Sequence, residues 1–524
     1  MNRGPVPVMA AFLVAALFPG CGPVSEQPVR KSTMTVLVDC CAANQMRLYN
    51  LKHLLFLPLI ERDGREVRPR LAESWKHSPD YRTWTFRLRD DIRWHDGVPV
   101  TAHDIAFSAE LFRHPDVLFG ARVWELDSAV VVDDHTITFA LRKPTYYPPT
   151  GAWTVFFPKH LLEKLDPAAF YEWDFWTQPV GNGPFRFVRY VQQTMVEFEA
   201  NPDFYAGEPP IHRVVAKLST ANPVIELMSG AVDAASDLRP ADLLKLDADP
   251  RFVVYYQNDW SELYLVYWNH RHPLLADVRV RRALDCALDR RTLAQLLNLS
   301  DEVPLVGGLG NDGGVDPDGR RGWDRAPRYD PGQAERLLDE AGWVDRDGDG
   351  VRERAGREAR FTLLAPQGGS LAAETMGLFM QDQWRRVGVA VEIRTMEMIV
   401  AREVLRSGEF DAGIIWEDQD AHTILWTWFG GPAEPGPDET GNRRVPFGYN
   451  DAEPAHLLEV IYATPDPEAR DTLYARFNEI LRRDAPVMIL FPGVYHYVAH
   501  RRIRGFRQGW GWLDHPHELR IDPD

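Results

Sequence analysis

Pro69-Arg-Leu-Ala-Glu-Ser-Trp75, Trp84-Thr-Phe-Arg-Leu-Arg89 and Trp94-His-Asp-Gly97, followed by Pro99-Val-Thr-Ala-His-Asp-Ile105, form the stretch on which the reading of this chain turns. Trp84, Phe86 and Leu88 alternate with Thr85, Arg87 and Arg89, the period-two pattern of a strand with one buried and one wet face. His95-Asp-Gly97 is a turn. Thr101 is placed to cap a helix, with Asp104 three residues on as the acid of a capping box. Ile105, Ala109 and Phe112 fall on one face of that helix. Val130–Val132, a turn at Asp133-Asp134, and Ile137, Phe139 and Leu141 read as a hairpin. The pattern predicts a compact α+β unit.

On the N-terminal side, the run Thr33 to Asp39 reads as a strand. On the C-terminal side, Gly181-Asn-Gly-Pro-Phe-Arg-Phe187 starts a strand after a glycine-rich turn, Val214–Leu218 is a strand and Val224–Met228 is helical. Tyr264–Asn269 is an aromatic-rich strand. Asp277 caps a helix whose apolar positions Val280, Ala283, Leu284, Ala287 and Leu288 repeat with helical period. Asp330-Pro331 opens another, which Gly342 ends. Strands at Phe361–Leu364 and Val389–Ile393 flank a helix over about 373–386, the alternation of an α/β lobe. Asp466-Pro467 opens a last long helix, and Val487–Phe491 is a strand.

At 524 residues the chain exceeds what one hydrophobic core holds, so more than one domain is expected. A net charge of −17 repels phosphate backbones and argues against nucleic acid as a partner. With 17 Trp, 17 Tyr and 25 Phe, the chain has enough large aromatics to fill its cores and to line a pocket for varied organic ligands. Four cysteines, Cys21, Cys40, Cys41 and Cys286, are too few for a disulfide scaffold. Pairing of Cys40 or Cys41 with Cys286 stays open.

Arg3 precedes an apolar run from Val8 to Phe18, too short to span a bilayer and placed like a secretory signal. The run ends in Phe18-Pro19-Gly20-Cys21, which resembles a bacterial lipobox, with Phe18 where Leu is usual and Pro19 where Ala or Ser is usual. The expectation is a lipid on Cys21, a tether over Gly22–Lys31, and a location in the periplasm or at the cell surface, anchored to the membrane.

Eight segments together resemble the peptide/nickel-type extracellular solute-binding proteins (family 5) of ATP-driven (ABC) importers. They are Pro69–Trp75, Trp84–Arg89, Trp94–Gly97 with Pro99–Ile105, Gly181-Asn-Gly-Pro-Phe185, Gly230-Ala-Val-Asp233, Asp277-Val-Arg-Val-Arg-Arg-Ala-Leu284, Leu288-Asp-Arg290, and Ala334-Glu-Arg-Leu-Leu-Asp-Glu-Ala-Gly-Trp343. Their order and spacing fit from about 33 to 506. The resemblance implies an α/β fold of the periplasmic-binding-protein type: a two-lobed clamshell with an extra inserted α+β domain. On that pattern lobe one is 33–60, 180–268 and 490–524, the inserted domain is 61–179, and lobe two is 269–489. Strands cross the hinge near Leu265–Asn269 and Leu490–Gly493.

The resemblance implies a monomeric binding protein rather than an enzyme, without a cofactor. It would capture a peptide or related small solute between its lobes and deliver it to importer permease subunits. A sensor or scaffold without transport, or a secreted hydrolase using the same cleft, are the alternatives. A carboxylate of lobe two commonly meets the peptide's α-amino group in this family, because a buried ammonium needs a partner. The family pattern is Trp, two residues, Asp, then usually Asp-Pro. This chain has Trp416-Glu-Asp418-Gln-Asp420-Ala421, one residue out of step and lacking the proline. Asp418 and Asp420 are both candidates. Trp260, Trp416 and Trp426, with Trp428 beside it, are candidates for the aromatic wall.

The remaining motifs carry less. Asp345-Arg-Asp347-Gly-Asp349-Gly350 begins like a calcium loop but has Gly356 where the bidentate acid belongs, so it reads as a turn. His496 and His500 lie in a segment that reads as extended, with no Glu in zincin spacing, and His515-Pro-His517 is a similarly weak pattern; no metal site is assigned from spacing. Gly307-Gly-Leu-Gly310 lacks the strand-to-helix context of a nucleotide loop, and no Gly-x-Ser-x-Gly is present.

Overall fold

The computed structural model of the protein describes residues 32–39, 51–63, 66–114, 117, 126–142, 144–145, 155–192, 194–219, 222–236, 238, 240–297, 299, 327–367, 373–418, 447–449, 451–507, 513 and 515–522. In chain order the strands are β1 (Thr33–Asp39), β2 (Ile60–Asp63), β3 (Glu66–Pro69), β4 (Ala72–His77), β5 (Thr83–Leu88), β6 (Leu126–Asp133), β7 (Thr136–Leu141), β8 (Phe185–Val191), β9 (Met195–Ala200) and β10 (Arg213–Ser219). They continue with β11 (Ala234–Ser236), β12 (Phe252–Trp268), β13 (Glu353–Arg354), β14 (Arg357–Glu358), β15 (Arg360–Gln367), β16 (Ala390–Glu397), β17 (Ala412–Asp418), β18 (Val487–His500), β19 (Ile503–Arg504) and β20 (Arg520–Ile521).

Ten of these form one mixed sheet in the order β16-β15-β17-β12-β18-β11-β1-β10-β9-β8. Its organisation follows from two strands, β12 and β18, which are 17 and 14 residues long where most strands run to five or six. They pair antiparallel from Phe252↔His500 to Tyr267↔Val487. Beyond them on one side β17, β15 and β16 are added, and on the other β11, β1, β10, β9 and β8.

The first of these two halves shows why its strands read as apolar runs. Tyr264, Val266 and Trp268 of β12 point into one buried cluster, and Leu263, Leu265 and Tyr267 point into another. A strand covered on both faces has no wet side, so alternation sorts residues between two cores rather than between core and water. The helices Val278–Cys286, Pro331–Glu340 and Ala373–Arg385 contribute to the first cluster. Those at Met398–Ser407, Ala452–Ala463 and Pro467–Asp484 contribute to the second. Each of Asp277, Asp330 and Asp466 caps its helix as the sequence predicts, accepting from the backbone N–H of Arg279, Gln333 and Ala469 at 3.0, 2.8 and 2.8 Å.

The α+β unit is present as expected: a four-stranded sheet β4-β5-β7-β6 with the helix Ala102–Leu111. Asp104 accepts from the Thr101 backbone N–H at 2.9 Å, closing the capping box, and its second oxygen accepts from Lys159 N at 2.9 Å. Trp84, Phe86 and Leu88 are buried, as their spacing predicts. They share one continuous apolar cluster with Met34, Val36, Phe185 and Val214 of the ten-stranded sheet.

Two sequence expectations fall short in extent. Tyr264–Asn269 and Val487–Phe491 are only the ends of β12 and β18. The residues Val253-Val-Tyr-Tyr-Gln-Asn-Asp-Trp260 carry no clean period, because this strand crosses from one set of cores to another. His496 and His500 lie within β18, extended as read. Residues 345–350 form a turn in which Asp345 accepts from Gly348 N and Gly350 N at 2.7 and 3.0 Å. The leader, Cys21, the tether, Cys40, Cys41 and Gly307–Gly310 lie outside the described residues. Cys286 is a free thiol whose pKa is pushed up to about 11 by burial, with Asp285 adding to the effect.

Candidate ligand cleft and the contacts that frame it

The long strands do not pair evenly. Between Asp259↔Gly493 and Leu263↔Pro492 the register of β12 shifts against β18, and it shifts again between Tyr264 and Leu265. An irregular stretch of this kind bends and twists a ladder. It sits where β17 ends: Asp418, the last residue of β17, pairs with Glu262, and Trp260 lies two positions before Glu262 on β12, within the interval of the register shift against β18. Backbone geometry thus brings two of the five candidate site residues, Trp260 and Asp418, to one place. Their side chains, together with Asp420, Trp426 and Trp428, lie outside what is described.

Trp416 is described, and half-buried. Its ring packs on Tyr264 with centroids 6.0 Å apart, and Tyr264 in turn packs on Phe491 at 5.6 Å. The Arg402 guanidinium lies over the Trp416 ring at 5.6 Å. Trp416 therefore extends the apolar cluster at the edge of the irregular crossing and keeps one part of its surface exposed.

Away from the crossing, the segments that looked most distinctive in sequence bond to one another. The Leu55 carbonyl accepts from Asn182 N at 2.9 Å and Gly183 N at 2.7 Å, and Asn182 Oδ1 accepts from Leu57 N at 2.9 Å. His95 completes the knot. Its backbone N–H donates to Gly181 O at 2.7 Å, its Nδ1 accepts from Gly181 N at 3.2 Å, and its Nε2 donates to Gly183 O at 3.1 Å. That pattern needs the neutral imidazole with its proton on Nε2. Trp94-His-Asp-Gly97 and Gly181-Asn-Gly-Pro-Phe185 are two halves of one lock, joining the α+β unit to the start of β8.

A second lock secures the other half. Arg281, 4% exposed, donates from Nε to Ala485 O at 2.9 Å and from Nη1 to Leu275 O and Ala276 O at 2.8 and 2.9 Å. Its Nη2 donates to Asp484 O. Asp484 and Ala485 close the C-terminal end of the helix Pro467–Asp484, with Ala485 left-handed at φ 42°, so one guanidinium satisfies orphaned carbonyls of that end. Burial pulls the Arg281 pKa down to about 10, which leaves it charged at neutral pH. Arg290 donates from Nε to Ile489 O of β18 at 3.2 Å and pairs with Asp285. Sequence reading marked these arginines as part of a pattern but gave them no role; the missing information was the partner, about 200 residues away in the chain.

Two half-buried, hydrogen-bonded histidines predict a pH dependence. Burial is the first cause holding His95 and His270 at about 4, against an ordinary 6.5. Both are neutral in the fold, while the unfolded chain binds protons below pH 6.5. Folding stability is therefore full above about pH 6.5 and falls as the pH drops towards 4, by on the order of 2 kcal/mol for each group. Urea unfolding at pH 7.0, 5.5 and 4.5 is expected to show midpoints descending in that order. A midpoint unchanged from pH 7.0 to 4.5 would contradict the neutral state of these two histidines.

The model of a family described as bacterial extracellular solute-binding proteins, family 5, middle region, matches residues 66–435. The oligopeptide-binding protein AppA of Bacillus subtilis (strain 168) is 25% identical over 486 residues, 87% of this chain and 84% of its own. Among solved structures, NikZ from Campylobacter jejuni in complex with Ni(L-His) aligns at a TM-score of 0.74 and 23% identity, covering 94% of this chain and 100% of that one. AppA from Bacillus subtilis in complex with a nonapeptide aligns at 0.72 and 20%, covering 94% and 99%. The fold is the two-lobed α/β arrangement of periplasmic binding proteins, and by the match over residues 66–435 the chain belongs to the bacterial extracellular solute-binding proteins of family 5.

Proposed function

We propose that this chain captures peptides between its two lobes and hands them to the permease subunits of an ATP-driven importer. The observation that carries the reading is the crossing of β12 and β18, where the two longest strands among the described residues, which serve both halves of the ten-stranded sheet, lose register. A ligand that touches both lobes only when they are closed shifts the population towards closure, and such a crossing is where the bend falls. The peptide reading is supported by relatives named for peptide binding: AppA, and the di/tripeptide-binding protein 1 of Pseudomonas aeruginosa, 25% identical over 487 residues.

On this proposal lobe one is 33–60, 180–268 and 490–524, lobe two is 269–489, and 61–179 is the inserted domain. Main-chain hydrogen bonds hold an extended peptide regardless of sequence. Asp418 or Asp420 takes the α-amino group, and Trp260, Trp416 and Trp426 form the aromatic wall. The protein works as a monomer outside the cytoplasm, held to the membrane by a lipid on Cys21, and it binds without turnover.

The test separates the amino-group role from the rest. Calorimetric titration with a pool of short peptides, and with the same pool N-acetylated, is expected to show acetylation weakening binding about 10-fold or more. Either Asp418→Asn or Asp420→Asn should reproduce that loss on the free peptides and add little to it on the acetylated ones. Equal affinity for both pools in the unaltered protein would remove the carboxylate from the account.

A further inference from the structure

The C-terminal turn holds a cluster that the ligand cleft does not use. Pro516–Glu518 is a single 3-10 turn entered by His515, and the ligand atoms of His515, His517 and Glu518 all lie within 4.8 Å of one another. A tetrahedral ion with ligands near 2.1 Å places its donors about 3.4 Å apart, so these three groups need only small adjustments to share one. Two imidazoles and a carboxylate are a donor set suited to zinc and its borderline neighbours, and ill suited to calcium or magnesium, which take oxygen.

A second, independent feature is the support behind the first ligand. His515, only 8% exposed, places Nε2 2.9 Å from Glu61 Oε1 of β2. Glu61 is in turn paired with Arg70. A carboxylate that holds one ring nitrogen fixes the tautomer and the orientation of the ring, and metal-binding histidines are supported in this way. The other two ligands are also held. His517 packs on Phe204 with ring centroids 5.4 Å apart, and Glu518 Oε2 accepts from Arg507 Nη2 at 2.5 Å.

We propose that His515, His517 and Glu518 form a binding site for a zinc-class divalent cation, with Glu61 as the group that positions His515. The site lies on the C-terminal turn, so the ion would rigidify that turn, which the His515–Glu61 contact ties to β2. Its role is structural and separate from ligand capture.

The test uses the full chain, stripped with a chelator, reloaded with zinc chloride and desalted. Elemental mass spectrometry is expected to find about one zinc per chain. Cobalt in place of zinc is expected to give the visible bands of a nitrogen-ligated low-coordinate ion. His517→Phe keeps a ring against Phe204 and is expected to weaken zinc binding about 100-fold. Glu518→Gln should weaken it at least about 10-fold, and Glu61→Gln, which leaves all three ligands in place, about 10- to 100-fold. Circular dichroism checks that each variant is folded; if His517→Phe is not, Glu518→Gln and Glu61→Gln decide. A reloaded protein with less than about 0.1 zinc per chain, or zinc affinity unchanged in the folded variants, overturns the proposal.

Discussion

Gly181→Ala is expected to destabilise the protein by more than about 3 kcal/mol, enough to leave much of the chain unfolded under conditions where the parent is stable. The argument is steric. A Cβ added at Gly181 would stand 2.0 Å from the Leu55 carbonyl oxygen and 2.8 Å from its carbon. The obstacle is backbone, and it cannot swing aside as a side-chain tip can. Nor can the loop back away, because Asn182 N and Gly183 N are both donating to that same oxygen and His95 grips Gly181 from the other side. Gly183→Ala meets Leu55 C at 2.6 Å and is expected to behave alike. Gly332→Ala is the control: its nearest new neighbour is Asp330 Oδ1 at 3.5 Å, and in the first turn of a helix it should be neutral or slightly stabilising. Urea unfolding followed by tryptophan fluorescence measures all three, and a Gly181→Ala midpoint equal to that of Gly332→Ala would show that the lock is not as tight as described.

Arg281→Met should cost about 3–5 kcal/mol. Methionine fills a similar volume but leaves the carbonyls of Leu275, Ala276, Asp484 and Ala485 facing an apolar side chain. Arg281→Lys should recover only part of the loss, since one ammonium cannot reproduce a planar fork that serves four acceptors. Because the lock ties the end of the helix Pro467–Asp484 to the helix Val278–Cys286, proteolysis of the Arg281→Met protein is expected to cut first in this half while the α+β unit survives. Unfolding indistinguishable between Arg281→Met and the parent would contradict the account.

These two positions also mark where sequence reading stops. Alternation at Trp84–Leu88 and the caps at Asp277, Asp330 and Asp466 are local: the side chain and the N–H it meets are at most three residues apart, so pattern alone locates them. The bond from His95 to Gly181 spans 86 positions and that from Arg281 to Ala485 spans 204. No periodicity carries such partners. They surface in sequence only as short stretches that resemble a family, which is how Trp94–Gly97, Gly181–Phe185 and Asp277–Leu284 came forward without a role. The extent of β12 was hidden for a related reason: its residues serve different cores along its length, so its apolar pattern changes midway. The contact of Glu61 with His515 likewise joins residues at opposite ends of the chain. Of the cleft candidates, Trp416 is half-buried, packed on Tyr264 and covered by the Arg402 guanidinium, and the side chains of the others lie outside the described residues.

The most direct test of ligand capture is native mass spectrometry of the purified chain before and after incubation with a mixed pool of short peptides. The account predicts discrete 1:1 additions with peptide masses, present from the start or appearing on incubation, and released on denaturation. A chain that keeps its bare mass in both spectra, while remaining folded by circular dichroism, would contradict it.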